Sequence, residues 1–304
     1  MLQDGKTCFK DKRNWVEYNE RLVERGEFYI ALDFIECWDD ELETLNVNKG
    51  GRPFEYPPSF IQFSAVVHEI FHLPYRQMEG VFRQLARYIP ELKPADYTTL
   101  FKRITKLDIQ IKNKELPKEI VLAVDSSGIK VTNGGDWIRK KWKVRRGWLK
   151  VHIAVDIKTK KLLALEITDE SIGDNKKFKD LLEQAEENAG NSRIVSSLAD
   201  GAYDTKELFN LLEEKGIKAG IKTRKNAVTI AKGSPYRAKC IRELRDIGYD
   251  TWRAKYKYGQ RWASEGYLSA FKRLFGESVK SKSNEGMVNE IKRKFAFYNA
   301  LLNL

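Results

Sequence analysis

The sequence predicts an α/β protein, a mixed five-stranded sheet with helices against it, preceded by a mostly helical N-terminal region. Three observations lead there. Beyond Pro117 the apolar runs follow one another as strand, strand, strand, helix, strand, helix, strand, the order of a meander continued by alternating crossovers. Before it, apolar residues recur at helical spacing and are broken by prolines. The composition, 42% hydrophobic and 12% aromatic over 304 residues, belongs to a folded chain long enough for two domains, placed at residues 1–116 and 117–304.

The elements follow in order. Residues 14–44 place Trp15, Tyr18, Leu22 and Val23 on one helical face, then Phe28, Leu32, Ile35 and Trp38 after Gly26. NKGGRPFEYPP is a linker by composition. SFIQFSAVVHEIFHL reads as a helix ending near Pro74, YRQMEGVFRQLARYI as a second closed by Pro90, and ADYTTLFKRITKLDIQI as a third capped by Asp96 or Thr98. Short helices spaced in this way suit a helix-turn-helix, and equally any small helical bundle. In the second half, IVLAV is a strand that ends in Asp125. LKVHIAV and LLALEIT form a hairpin around DIKTKK, and a helix from Lys176 leads to the strand ending at Ala199 and Asp200. A helix opened by Asp204 and stopped by Gly216 precedes a fifth strand at Ala219–Lys222. A long basic region follows, with a helix from about Gln260 to Leu274 and another over the final residues.

The charge is local. The chain carries 55 basic and 43 acidic residues, a net +12. Residues 1–50 hold seven basic and twelve acidic groups, whereas residues 221–294 hold nineteen and seven. A tighter cluster, Arg139, Lys140, Lys141, Lys143, Arg145, Arg146 and Lys150, is interleaved with Trp137, Trp142 and Trp148. Phosphates attract such clusters and exposed bases stack on such rings. A solvated loop with its tryptophans turned into the core has the same composition. No apolar run reaches the ~18 residues of a membrane span, and MLQDGKTCFKDKRNW lacks the apolar stretch of a secretory leader. Cys8, Cys37 and Cys240 form no CxxC pair, which argues against a disulfide scaffold or a cysteine zinc site and for a reducing compartment.

Asp125 and Asp200 each end an apolar strand. A carboxylate there is costly unless hydrogen bonds or a cation neutralise it. If the two strands are neighbours the acids meet, and a divalent ion between them relieves their repulsion. Glu265, on the basic helix RWASEGYLSAFKRLF, completes an oxygen-ligand set when that helix leans over the strand ends. Oxygen donors without cysteine suit Mg2+ or Mn2+, and a pair of such ions supports phosphoryl transfer. Each aspartate taken alone also reads as a turn or cap. His68, His72 and His152 read as structural or surface groups.

The chain resembles the DDE transposases of bacterial and archaeal insertion sequences, in the group with a Tyr-Arg-Glu-Lys signature around the final acid. Tyr258, Arg261, Glu265 and Lys272 stand at the signature's intervals, after AVDSSGIKV with Asp125 and ADGAYD with Asp200. YNERLVERGEF, GRPFEYPPSFIQF, LPYRQMEGVFRQL and DYTTLFKRI are similar to the N-terminal regions of compact members, so the likeness runs over nearly the whole chain. The resemblance implies a ribonuclease-H-like catalytic domain and an N-terminal domain that recognises terminal inverted repeats. It implies metal-dependent cleavage at the element ends and joining of the 3'-OH to target DNA, by a homodimer in the DNA complex, in the nucleoid of a prokaryotic cytoplasm and away from membranes.

The resemblance makes Asp125, Asp200 and Glu265 the catalytic and metal-binding triad, holding Mg2+ or Mn2+ as two ions. Tyr258, Arg261 and Lys272 become residues that hold DNA near the scissile phosphate. Their spacing agrees, because Arg261, Glu265 and Lys272 fall within about 40° of one another around a helix. The cluster of Arg139, Lys140, Lys141, Trp142, Arg145 and Arg146, with Lys102 and Arg103 on a candidate recognition helix, supplies further DNA contacts. The competing role of that helix is to pack the bundle. KGGRP has the arginine-centred character of a minor-groove arm or is a plain linker. A structure-specific nuclease, or a silent DNA-binding protein derived from a transposase, would carry the same acids.

Overall fold

The computed structural model describes residues 14–131 and 147–304. Five helices come first: α1 (Trp15–Tyr29), α2 (Trp38–Asn46), α3 (Pro58–Ile70), α4 (Tyr75–Leu85) and α5 (Tyr97–Thr105). Their ends follow local chemistry. Asn14 accepts from the amides of Val16 and Glu17 to cap α1, Asp96 accepts from those of Thr98 and Thr99 to cap α5, and Pro58 opens α3 where no amide is needed. Only four residues separate α3 from α4, a helix-turn-helix connection. The segment after Thr105 leaves the helix, because Leu107, Ile109 and Ile111 alternate and pack their apolar row against the core as an extended chain.

The sheet comprises β1 (Glu119–Val131), β2 (Trp148–Asp156), β3 (Leu162–Asp169), β4 (Arg193–Ala199) and β5 (Lys218–Ile221), in the order β3-β2-β1-β4-β5. The first three form an antiparallel meander, while β4 and β5 run parallel to β1. Crossover helices α6 (Phe178–Ala189) and α7 (Lys206–Glu214) return the chain to these parallel strands. This is the ribonuclease-H-like arrangement. A two-residue sixth strand, β6 (Ser278–Val279), pairs with the far end of β1. β1 therefore runs on past Asp125 instead of ending there, because β2 and β6 continue to satisfy its backbone after β4 has turned away.

The C-terminal part contains α8 (Pro235–Lys255), α9 (Trp262–Phe275) and α10 (Asn284–Leu301). The basic stretch holding α8 carries no clear apolar periodicity, and Gly248 breaks the helix with φ 73°. One core lies in front of the sheet, where Ala123, Ile153 and Leu162 meet Phe60, Phe82 and Leu100 from the N-terminal helices and Phe271 and Phe295 from α9 and α10. A second core lies behind it under α6 and α7. In front, Arg293 of α10 donates to Glu69 of α3 at 3.0 Å and to the Ile104 carbonyl of α5 at 3.1 Å. Lys294 and Glu290 complete this buried network. Among the described residues no helix is long and apolar enough to cross a membrane.

Candidate active site

Strand alternation decides where the acids point. Val124 joins the rear core and Ala123 the front one, so Asp125 faces front. Ala123 pairs with Leu198, and Asp200 follows two residues later with backbone still extended at φ −79° and ψ −179°. Continuing that register sets Asp200 beside Asp125 on the same face. The sequence left open whether the two strands were neighbours; they are.

Asp125 is mostly buried, its side chain 20% exposed. It accepts from the Ser126 amide at 2.9 Å and the Ser264 hydroxyl at 3.3 Å, and the Arg261 guanidinium lies 3.5 Å away. Burial nonetheless pushes its carboxyl pKa above the ordinary value, opposed by these contacts. The ionised group is thus short of positive charge. Glu265, in the first turn of α9, pairs with the other guanidinium nitrogen of Arg261 and is half exposed. Burial pulls on Arg261 in the lowering direction, but Glu265, Tyr258 and Asp125 outweigh it and the pKa is raised. Arg261 thereby bridges two of the three acids. A cleft of about 540 Å3 opens here, lined by Asp125, Ser126, Glu265, Lys272 and Arg273 among others. Among the described residues Lys272 makes no ion pair.

The third acid is held differently. Asp200 accepts from the Ala202 amide at 2.8 Å and so caps the short turn Gly201–Tyr203. The Tyr203 ring is buried behind it, and among the described residues its hydroxyl has no hydrogen-bond partner. Burial first, then the carboxylates of Asp174, Asp125 and Asp200, hold that hydroxyl firmly protonated. Tyr258 also points inward: its hydroxyl donates to the Ala199 carbonyl at 3.2 Å and ties the turn before α9 to the end of β4. Asp204 does not cap α7, a task taken by Thr205. It is fully buried and receives Arg237 of α8 through two bonds of 2.7 and 3.0 Å. Asp204 thus anchors α8 to the loop that carries Asp200.

The donor set suits a hard divalent cation: carboxylate and hydroxyl oxygens gather around a positive group, and the Arg261 guanidinium stands where a metal's charge would act. Among the described residues no three His, Cys, Asp or Glu side chains are close enough to share an ion. What joins Asp125 and Glu265 is the Arg261 guanidinium.

The remaining candidates are scattered. Arg139, Lys140, Lys141, Trp142, Arg145 and Arg146 lie outside the described residues. Trp148, which follows them, packs on Gly128, where a Cβ would come within 2.8 Å of its ring. Arg103 is half-buried, donating to the Tyr56 carbonyl at 3.4 Å and lying over the Phe54 ring, while Lys102 is exposed. The Thr98 and Thr99 hydroxyls are engaged by Asp96. On α4, Arg76, Gln77, Arg83 and Gln84 face outward. Sequence reasoning missed Ser264, Tyr203 and Arg237. Only Tyr203 had a signal, an aromatic inside the ADGAYD run.

Two family models, each described as a transposase DDE domain, match residues 116–300 and 23–134. Among solved structures, the chain is similar to a piggyBac transposase synaptic complex with hairpin DNA, at 10% identity over 92% of this chain and 74% of that one, with a TM-score of 0.43. It is also similar to the Drosophila P element transposase strand transfer complex, at 11% identity over 94% and 71%, TM-score 0.36. A Mos1 mariner paired end complex with Mn matches at 13% identity over 88% and 95%, TM-score 0.24.

Proposed function

This chain belongs to the transposases with a DDE domain, and from that premise we propose that it cleaves phosphodiester bonds at the terminal inverted repeats of an insertion sequence and joins the 3'-OH ends to target DNA. The single observation that carries this is the placing of Asp125 and Asp200 on one face at adjacent strand ends, with Glu265 leaning in on α9. The Tyr-Arg-Glu-Lys spacing of Tyr258, Arg261, Glu265 and Lys272 supports an element of the bacterial and archaeal group.

In this reading Asp125, Asp200 and Glu265 hold Mg2+ or Mn2+, which when bound polarises the scissile phosphate and the attacking oxygen. Arg261, released from Asp125 and Glu265, grips a phosphate through its fork of donors. Lys272 adds a point charge from the same helix face. Tyr258 fixes the turn that carries Arg261, and Asp204 with Arg237 keeps the Asp200 loop in place. Duplex DNA is the partner, read at the element ends by the helices α4 and α5 within residues 1–116, with Lys102, Arg103 and the segment of Arg139–Arg146 as further contacts. Residues 117–304 form the catalytic unit. Two copies act on paired ends.

The test is a strand-transfer assay with labelled duplexes taken from the DNA that brackets the gene, in the presence of Mg2+. End cleavage followed by joining to a plasmid is expected, and Asp200→Ala retains DNA binding but loses both steps. Cleavage without joining makes the protein a nuclease; cleavage surviving in Asp200→Ala removes the assigned site.

A further inference from the structure

The front of the sheet is covered unevenly. The front core draws on β1, β2 and β3, and no residue of β4 or β5 takes part in it. Over β4 and β5 this face opens into a cleft of about 900 Å3, larger than the one at the acids. Val121 and Val195 lie half-buried on its floor, α8 forms one wall, and the turn from Lys255 to Gln260 forms the other.

Five cations and two carboxylates line the cleft. Lys255 is spent on Glu243, which also accepts from the Tyr256 hydroxyl at 2.9 Å. Arg193, Lys218, Lys239 and Lys257 are exposed and form no ion pair among the described residues. Unpaired cations cost nothing while hydrated, yet they repel one another and gain from a shared polyanion. They are strung from the start of β4 and β5 to the turn before α9 instead of converging on a point. A small anion needs convergence; a backbone of repeating phosphates needs a track.

The track leads to the acids. Gln260 lines the cleft, the next residue, Arg261, bridges Asp125 and Glu265, and Tyr258 bonds to the carbonyl next to Asp200. One four-residue turn, Tyr258–Arg261, is thus the partition between the two spaces. The seven residues of β4 span roughly 20 Å at about 3.3 Å each. That length corresponds to roughly six base-pair steps along a duplex axis, at about 3.4 Å per step.

We propose that this cleft is a second DNA site, a track for the sugar-phosphate backbone flanking the scissile phosphate, with Arg193, Lys218, Lys239 and Lys257 as its phosphate contacts. It rests on the transposase reading for its substrate but not on the catalytic role of the acids.

The test measures binding of a fluorescent 30-base-pair duplex of random sequence by the full chain across a salt series. The triple variant Lys218→Ala, Lys239→Ala, Lys257→Ala is compared with a charge-matched control, Lys179→Ala, Lys282→Ala, Lys292→Ala, at exposed positions that do not line the cleft. Each lost phosphate contact lowers the slope of log K against log salt by about 0.9. The cleft triple should lose roughly two to three units of slope and at least about tenfold in affinity, with the control near wild type. Arginine at the same three positions should restore the slope. Equal losses in both triples, or a wild-type slope in the cleft triple, overturn the proposal, and unchanged melting curves exclude misfolding. Binding is read without cleavage, so an Asp200→Ala variant that still cuts defeats the catalytic reading while leaving this one standing.

Discussion

Replacing Arg261 with alanine is expected to tighten metal binding by the DNA-free protein while abolishing most cleavage. The guanidinium lies 3.5 Å from Asp125 and contacts Glu265, so it competes with a metal for the same two carboxylates. At that separation and an effective dielectric near 20, the gross attraction to Asp125 is about 5 kcal/mol. Desolvation of both partners and screening at the cleft mouth reduce the net to roughly 1–2 kcal/mol. Removing the competitor should therefore lower the dissociation constant for Mn2+ by about tenfold, since each 1.4 kcal/mol is a factor of ten. Calorimetric titration of Mn2+ into the DNA-free variant checks the first half, and end cleavage by the same preparation checks the second. Weaker or unchanged Mn2+ binding would refute the competition, because it would mean that Arg261 holds the acids in a metal-ready arrangement instead of filling the site itself.

Three further outcomes follow from buried charge. Asp125→Asn should melt at a higher temperature than wild type at neutral pH, because burial raises the aspartate pKa and makes its ionised form costly. That advantage shrinks as the pH falls through the aspartate's own pKa, and scanning calorimetry at several pH values shows whether it does. His152 is fully buried, bonded to Thr168 and facing Asp174, Lys150 and Lys177, with its pKa pulled down by burial to about 4. The unfolded chain binds that proton from about pH 6.5 downward, so stability falls between about 6.5 and 4, by roughly 3 kcal/mol from this group. In His152→Gln, urea unfolding should show a shallower loss across the same window. Arg293→Met should cost about 3–5 kcal/mol in denaturant unfolding, since Glu69 then keeps only a distant buried lysine; a loss below about 1 kcal/mol would show the network to be dispensable.

The candidate site was legible to the extent that its chemistry follows strand ends and helix periodicity. An acid after an apolar run, repeated 75 residues later, needs no structure to be noticed. The helix face shared by Arg261 and Glu265 follows from 100° per residue, and the two side chains do meet. The signals failed where a residue's partner is remote in sequence. Asp204 reads as a cap from its neighbours, yet it bonds to Arg237, 33 positions away. Tyr258 stands in a basic, polar run that gives no sign of burial, but the end of β4 offers its hydroxyl a carbonyl. α8 was hidden because its buried residues, such as Ala238, Ile241 and Trp252, are spread over two segments that Gly248 throws out of phase.

What the sequence determined by itself was most of the elements, α8 and β6 excepted, their order, and the three acids with the signature around the last. Those depend on local periodicity, caps and turns, which act over a few residues. Tertiary structure alone decided that β4 lies beside β1 in the register that turns Asp125 and Asp200 to one face. It also decided that Arg261 fills the space between Asp125 and Glu265, and that the sheet front over β4 and β5 is left open. Each of these depends on which strands pair and which faces are covered, and such choices are made by burial among residues distant in the chain.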